Sequence, residues 1–181
     1  MTGLSFLART MGMSDSVWER HANPWSGWTR LATFPLLFLA IWSHVWIGWW
    51  ALVPVGILAV WHWLNPRVFP VPTGSGNWMT RGVYGERLWL NRLHRPVPER
   101  HRVVPHLLAA ASGVGIVIAV IGFVLGAFWI ALLGWVIAGV AKLWFVDRMV
   151  WLYNDMAGPV PAAAPARADR PVFNPDATGA P

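Results

Sequence analysis

Leu31 to Pro66 reads LATFPLLFLAIWSHVWIGWWALVPVGILAVWHWLNP, 36 residues without one Asp, Glu, Lys or Arg. A second window, Val103 to Ala141, runs 39 residues on the same terms, and both are fenced by basic residues. As single straight helices they would measure roughly 54–58 Å at 1.5 Å per residue, against a hydrocarbon core of about 30 Å. Each window therefore has to fold back on itself. The expected fold is an all-α membrane protein: four transmembrane helices in two hairpins, plus an interfacial amphipathic helix in the central cytoplasmic loop.

The 181 residues suit one compact membrane domain, and their low charge and high apolar content exclude a disordered chain or an ordinary soluble one. The formal charge of +6 lies outside the apolar windows. Anionic headgroups account for it, so the expected partner is a bilayer with an anionic inner leaflet and not nucleic acid. With no cysteine, disulfides, thiolate metal sites and Cys nucleophiles are excluded. Leu4 to Leu7 is too short an apolar patch for a secretory leader, and Met11 and Met13 leave a later start open.

The chain divides accordingly. Residues 1–22 form an N-terminal arm with a short surface helix, where Ser16 and Glu19 have capping-box spacing. Residues 23–64 form the first hairpin, with Asn23 as cap and Pro24 at the first helical position. Its turn lies near Ser43 to Gly48 among Trp42, Trp46, Trp49 and Trp50, and Asn65-Pro66 is expected to end its second helix, which begins near Trp46. Residues 65–103 form a loop, residues 104–156 the second hairpin, whose helices are expected over Val104 to about Phe123 and Ala127 to about Asp147 with a turn at Leu125-Gly126, and residues 157–181 a disordered, Pro- and Ala-rich tail. In the second hairpin, Ala111/Gly115, Gly122/Gly126 and Gly134/Ala138 are small-xxx-small pairs that permit close backbone approach. Both turns lack Lys and Arg, which puts the N and C termini on the cytoplasmic side of the inner membrane.

Within the loop, Asn77 to Leu93 places Trp78, Met79, Gly82, Val83, Gly85, Trp89, Leu90 and Leu93 on one helical face and Thr80, Arg81, Tyr84, Arg87, Asn91 and Arg92 on the other. Such a helix lies in the interface plane. Glu86 breaks its apolar face and needs a partner or a proton. Lys142 is the first candidate, with Arg30, Arg148 and Arg81 as alternatives, and Asp147-Arg148 beside Trp144 and Trp151 reads as an interfacial anchor. These residues form the candidate polar cluster: Glu86, Lys142, Asp147, Arg148, Arg30 and Arg81. No two histidines stand at i,i+3 or i,i+4, so no metal site is expected, nor any catalytic residue or cofactor.

Four strings, His21-Ala22-Asn23-Pro24-Trp25-Ser26-Gly27-Trp28-Thr29-Arg30, Trp63-Leu64-Asn65-Pro66-Arg67-Val68-Phe69-Pro70, Trp78-Met79-Thr80-Arg81 through Gly85-Glu86-Arg87, and Lys142 to Val150 (KLWFVDRMV), together resemble a prokaryotic family of small multi-pass membrane proteins of unknown function. The resemblance implies family membership and no mechanism. The expected role is a non-catalytic membrane protein acting through lipid, a second copy of itself or another membrane protein. The alternatives are a small oligomeric transporter or channel, and an interfacial enzyme acting on lipid headgroups.

Overall fold

A computed structural model describes residues 14–157, all of whose regular elements are helical. The expected tail and the apolar patch at Leu4 to Leu7 lie outside the described residues. The elements are α1 (Asp15–His21), α2 (Pro24–Trp42), α3 (His44–Ile47), α4 (Leu52–Val68), α5 (Trp78–Leu90), α6 (Val103–Val124) and α7 (Phe128–Ala157), with 3-10 turns at Gly48–Ala51 and Glu99–His101. Three stretches, Pro24–Val68, Glu99–Val124 and Phe128–Ala157, are long and apolar enough to cross a membrane. Trp46, Trp49 and Trp50 are 70%, 86% and 76% exposed. In water such a patch would drive association, whereas a bilayer accepts it, which is consistent with a membrane protein.

The Pro24–Val68 stretch is not straight. Ser26 and Thr29 on α2 hydrogen-bond to Asn65 on α4, and Thr33 meets His62. Rising positions on one helix thus meet falling positions on the other, so the two run antiparallel. The reversal occupies Ser43 to Ala51, where Gly48 takes φ 57°, a left-handed value that costs glycine little.

Helices α6 and α7 are also antiparallel, turning at Gly126 with φ 63°. Here backbone meets backbone: a Cβ added at Gly115 would lie 2.5 Å from the Ala138 nitrogen, one at Gly122 would strike the Ala131 backbone, and one at Gly134 the Ala119 backbone. Gly126 meets nothing within 4 Å, so its place is in the turn and not in the packing expected of the Gly122/Gly126 pair.

The two antiparallel pairs touch through rings at their turn end. Phe34 stacks on Trp135 with centroids 4.5 Å apart, Phe38 lies 5.7 Å from Phe128, and Trp42 lies 5.0 Å from Phe128. These contacts set the α2/α7 register, in which Phe34 is level with Trp135 to Gly139 and Arg30, one turn earlier, is level with Lys142.

Several expected boundaries are corrected. Ser14, not Ser16, caps α1: its hydroxyl accepts from the Val17 amide at 3.4 Å, while Ser16 sits inside the first turn with its Oγ 3.0 Å from that of Ser14. The expected capping box of Ser16 and Glu19 is therefore not formed. Asn23 does cap α2, accepting from the Trp25 amide at 3.0 Å, with Pro24 at the first position. Helix α4 begins at Leu52, because the left-handed Gly48 breaks any helix started near Trp46, and it runs through Asn65-Pro66 to Val68. Asn65 does not stop it because its side chain is engaged with α2, and Pro66 is fully buried at the cost of one backbone bond. Helix α7 continues about ten residues past Asp147, because Phe145, Met149 and Leu152 cover the buried Trp89 of α5 and extend the apolar face.

Candidate functional site

At the end of the bundle opposite the turns, a chain of hydrogen bonds joins α1, α2 and α4. Arg30 Nη1 lies 3.3 Å from His21 Nε2, His21 Nδ1 lies 2.9 Å from Ser26 Oγ, and Ser26 Oγ donates to Asn65 Oδ1 at 2.7 Å. Asn65 Nδ2 donates to Thr29 Oγ1 at 2.8 Å, and Thr29 Oγ1 donates to the Trp25 carbonyl at 2.6 Å. Proton accounting gives the chain one direction. The single Ser26 hydroxyl proton goes to Asn65, so Ser26 accepts from His21 Nδ1–H, and His21 Nε2 is left to accept from the Arg30 guanidinium. His21 is thus held neutral in one tautomer.

His21, Ser26 and Asn65 are buried at 8%, 0% and 0% exposure, where an unmade hydrogen bond is expensive. The His21 pKa is lowered from 6.5 to about 4, first by burial, then by the Arg30 charge, with Lys142 adding and Glu86 opposing. A second layer ties loop to helix: Asn23 Nδ2 donates to the Pro70 carbonyl at 2.9 Å and Arg20 Nη1 to the Arg67 carbonyl at 3.2 Å.

Helix α5 lies against α7. Asn77 caps it through the Met79 amide at 2.9 Å, and its two inner glycines admit the neighbour: a Cβ at Gly82 would lie 2.6 Å from Val146 Cγ1, and one at Gly85 would strike the Met149 backbone. That close approach positions Glu86, whose Oε1 accepts from Lys142 Nζ at 2.9 Å. Burial alone would raise the Glu86 carboxyl. The Lys142 charge and hydrogen bond, with His21 and Arg30 contributing, outweigh it and hold the group below its ordinary range. The same interactions place Arg30, His21, Glu86 and Lys142 in one electrostatic neighbourhood.

The six residues of the expected cluster do not form a single group. Asp147 and Arg148 bond each other at 3.0 Å, Asp147 also accepts from Trp78 Nε1 at 3.4 Å, and Arg148 lies over Trp151 at 4.9 Å. Arg81 turns back into its own loop, donating to the Ser75 carbonyl at 2.8 Å, because its place near the start of α5 faces residues 75–77. On α5, Thr80 is fully buried and Leu93 is 68% exposed, the reverse of the expected faces, because α5 ends at Leu90 and its buried face extends over Thr80.

Sequence reading missed Ser26, Thr29 and His21, and took Asn65 for a helix stop. A signal for them existed: Ser26, Thr29 and Thr33 on α2, and His62 and Asn65 on α4, are polar residues at helical spacing in apolar surroundings. It also missed Asp155, which pairs with His101 at 2.5 Å and Arg100 at 2.8 Å, because that pairing needs the extension of α7. His62 donates to the Leu58 carbonyl at 2.8 Å, and His106 lies 3.3 Å from Arg92. Among the described residues no three His, Cys, Asp or Glu side chains are placed to hold a metal.

A model of a family of unknown function, DUF6653, matches residues 4–171. The chain belongs to that family. No curated protein and no solved structure matches the chain. The matched range encloses every residue of the hydrogen-bond chain and of the Glu86–Lys142 contact.

Proposed function

We propose that this protein crosses the inner membrane four times, as two hairpins, with both termini and the α5 loop on the cytoplasmic side. It acts without catalysis of its own, through lipid or protein partners at that face. The observation that carries the reading is the Glu86–Lys142 contact. The only carboxylate on the buried side of α5 is spent on an ammonium 2.9 Å away, with its pKa lowered. A charged carboxylate so engaged is a latch and a poor proton carrier near neutral pH. Supporting the topology, seven Arg lie between Arg67 and Arg102 against two Glu, while the turns at Ser43–Ala51 and Leu125–Ala127 carry no Lys or Arg.

The cysteine-free chain makes topology straightforward to test. Single cysteines at Trp49, Leu125 and Ser75 are treated with an impermeant maleimide on intact cells. Labelling of the first two positions, and of Ser75 only after permeabilisation, is the expected pattern, and early labelling of Ser75 would overturn it. In vesicles of phosphatidylglycerol and phosphatidylethanolamine, wild type and Glu86→Gln are expected to leave the lipids unaltered, with the variant melting at a lower temperature. Headgroup conversion by wild type that Glu86→Gln abolishes would replace the latch with an enzyme.

A further inference from the structure

Between α2 and α7 runs an apolar groove of about 460 Å³, lined by Phe34, Pro35, Leu39, Trp135, Val136 and Val140 among others. It lies beside the rings through which the two antiparallel pairs meet near the turns, and beside Gly139, which receives Phe34. Its α7 wall spans Phe128 to Leu143, about 22 Å of helix, which exceeds the depth of one leaflet at about 15 Å. Leu39, Val136 and Val140 are about half exposed, so the groove opens sideways toward lipid.

The groove ends at charge. The groove's lining stops at Phe34 on α2 and Leu143 on α7; Arg30 lies one turn before Phe34 and Lys142 is the neighbour of Leu143, so both lie just beyond its end. Lys142 bonds the Glu86 carboxylate, and the register that seats Phe34 against Trp135 and Gly139 sets Arg30 level with Lys142. Lys142 spends one of its three donors on Glu86 and is 53% exposed. Arg30 makes no ion pair among the described residues; its contact is the neutral His21 ring at 3.3 Å. Two cations against one carboxylate leave a positive charge unbalanced beside a channel for hydrocarbon.

We infer that the groove and the Arg30/Lys142 pair form a site for one anionic phospholipid of the inner leaflet, with an acyl chain between α2 and α7 and the phosphate on the two cations. This rests on the orientation proposed above, which puts Arg30 and Lys142 at the cytoplasmic headgroup level. Glu86 then has a second role, holding Lys142 at the groove mouth.

The test is melting of the full chain, delipidated in mild detergent, with added dioleoyl phosphatidylglycerol, dioleoyl phosphatidylcholine or inorganic phosphate, and native mass spectrometry counting bound lipids. Phosphatidylglycerol is expected to raise the melting temperature and to bind about thirtyfold tighter than phosphatidylcholine, the size expected of two basic side chains favouring an anionic headgroup. Inorganic phosphate at equal ionic strength is expected to do nothing. Arg30→Gln should erase the difference between the lipids, and Val140→Trp, which fills the groove from its lipid side, should weaken both. Equal binding of the two lipids by wild type, a preference that survives Arg30→Gln, or stabilisation by inorganic phosphate would each overturn the site. A failed latch reads differently: Glu86→Gln would then melt like wild type whatever the lipids do.

Discussion

The α2/α4 pair and the α6/α7 pair solve the same problem with opposite chemistry. Helices α6 and α7 are held by backbone proximity: Gly115, Gly122 and Gly134 each face main-chain atoms of the partner, and the apolar side chains point outward. In lipid there is no hydrophobic drive to join two helices, and van der Waals contact between close backbones is what remains. Between α2 and α4 glycine makes no such contact: Gly27 of α2 faces the Met79 side chain of α5, and Gly56 of α4 meets nothing within 4 Å. They are joined at one end by the Ser26–Asn65–Thr29 bonds. The first design is dry, local and insensitive to protons. The second depends on donors and acceptors being in one protonation state, and it leaves room beside α7 for a groove. One pair is scaffold, and the other is where conditions can be felt.

The largest test of this contrast strikes the scaffold. Gly122→Leu places a side chain where the Ala131 backbone already sits, and the helices have to separate. A loss of about 3 kcal/mol or more is expected, at the upper end of overpacking penalties, read as a large fall in melting temperature and loss of a monodisperse peak. Gly113→Leu, on the same helix with nothing within 4 Å, should melt like wild type. Equal damage from both would show that helix propensity and not close approach governs this pair.

Next in size is acid. His21 has a folded pKa of about 4 against 6.5 unfolded, so the unfolded chain takes up its proton first as pH falls. The stabilisation is fully present above pH 6.5 and is lost between 6.5 and 4, worth at most about 3 kcal/mol for a shift of this size. Structurally, protonating Nε2 removes the acceptor for Arg30 and sets two cations face to face. Glu86 acts in a lower window: with its pKa depressed below 4.5, its contribution holds above that value and falls away beneath it. Melting curves from pH 8 to 4 should therefore descend in wild type and flatten in His21→Gln, whose amide can still serve Ser26 and Arg30. An unaltered slope in the variant would move the acid sensitivity elsewhere.

How far each pair was readable follows from the same contrast. Charge-free windows, small-residue spacing and the glycine at the Leu125-Gly126 turn are periodic or local signals, and they outline α6 and α7 closely. The Glu86–Lys142 contact was reachable because a carboxylate on an apolar face demands a cation, and α7 offers few. The α2/α4 network left only the helical spacing of Ser26, Thr29, His62 and Asn65 as a signal, masked by the strong local stop signal of Asn65-Pro66. Tertiary hydrogen bonds to Ser26 and Thr29 override it, and only the fold shows that those partners exist. The extension of α7 to Ala157 was hidden for a similar reason. Its last turns are not apolar enough to announce a span, and they are justified by packing of Met149 and Leu152 around the fully buried Trp89 of α5.

The smallest effects come from one substitution made twice. Ser26→Ala strands the His21 Nδ1–H and Asn65 Oδ1, both buried, and should cost about 2 kcal/mol, since a buried polar atom left without a partner loses its full desolvation. Ser112→Ala removes the hydroxyl that bonds the Ala138 carbonyl across α6 and α7 at 3.2 Å. That carbonyl lies within a continuous helix and keeps its backbone partner, so the loss should be about 0.6 kcal/mol or less, the average for a hydrogen bond between helices in a membrane. Measured side by side by chemical denaturation, the two variants compare the pairs with side-chain volume and chemistry held constant. A large effect at Ser112 would mean that α6 and α7 also lean on polar bonds. A negligible effect at Ser26 would mean that the network follows from the fold of α2 against α4 and does not hold it.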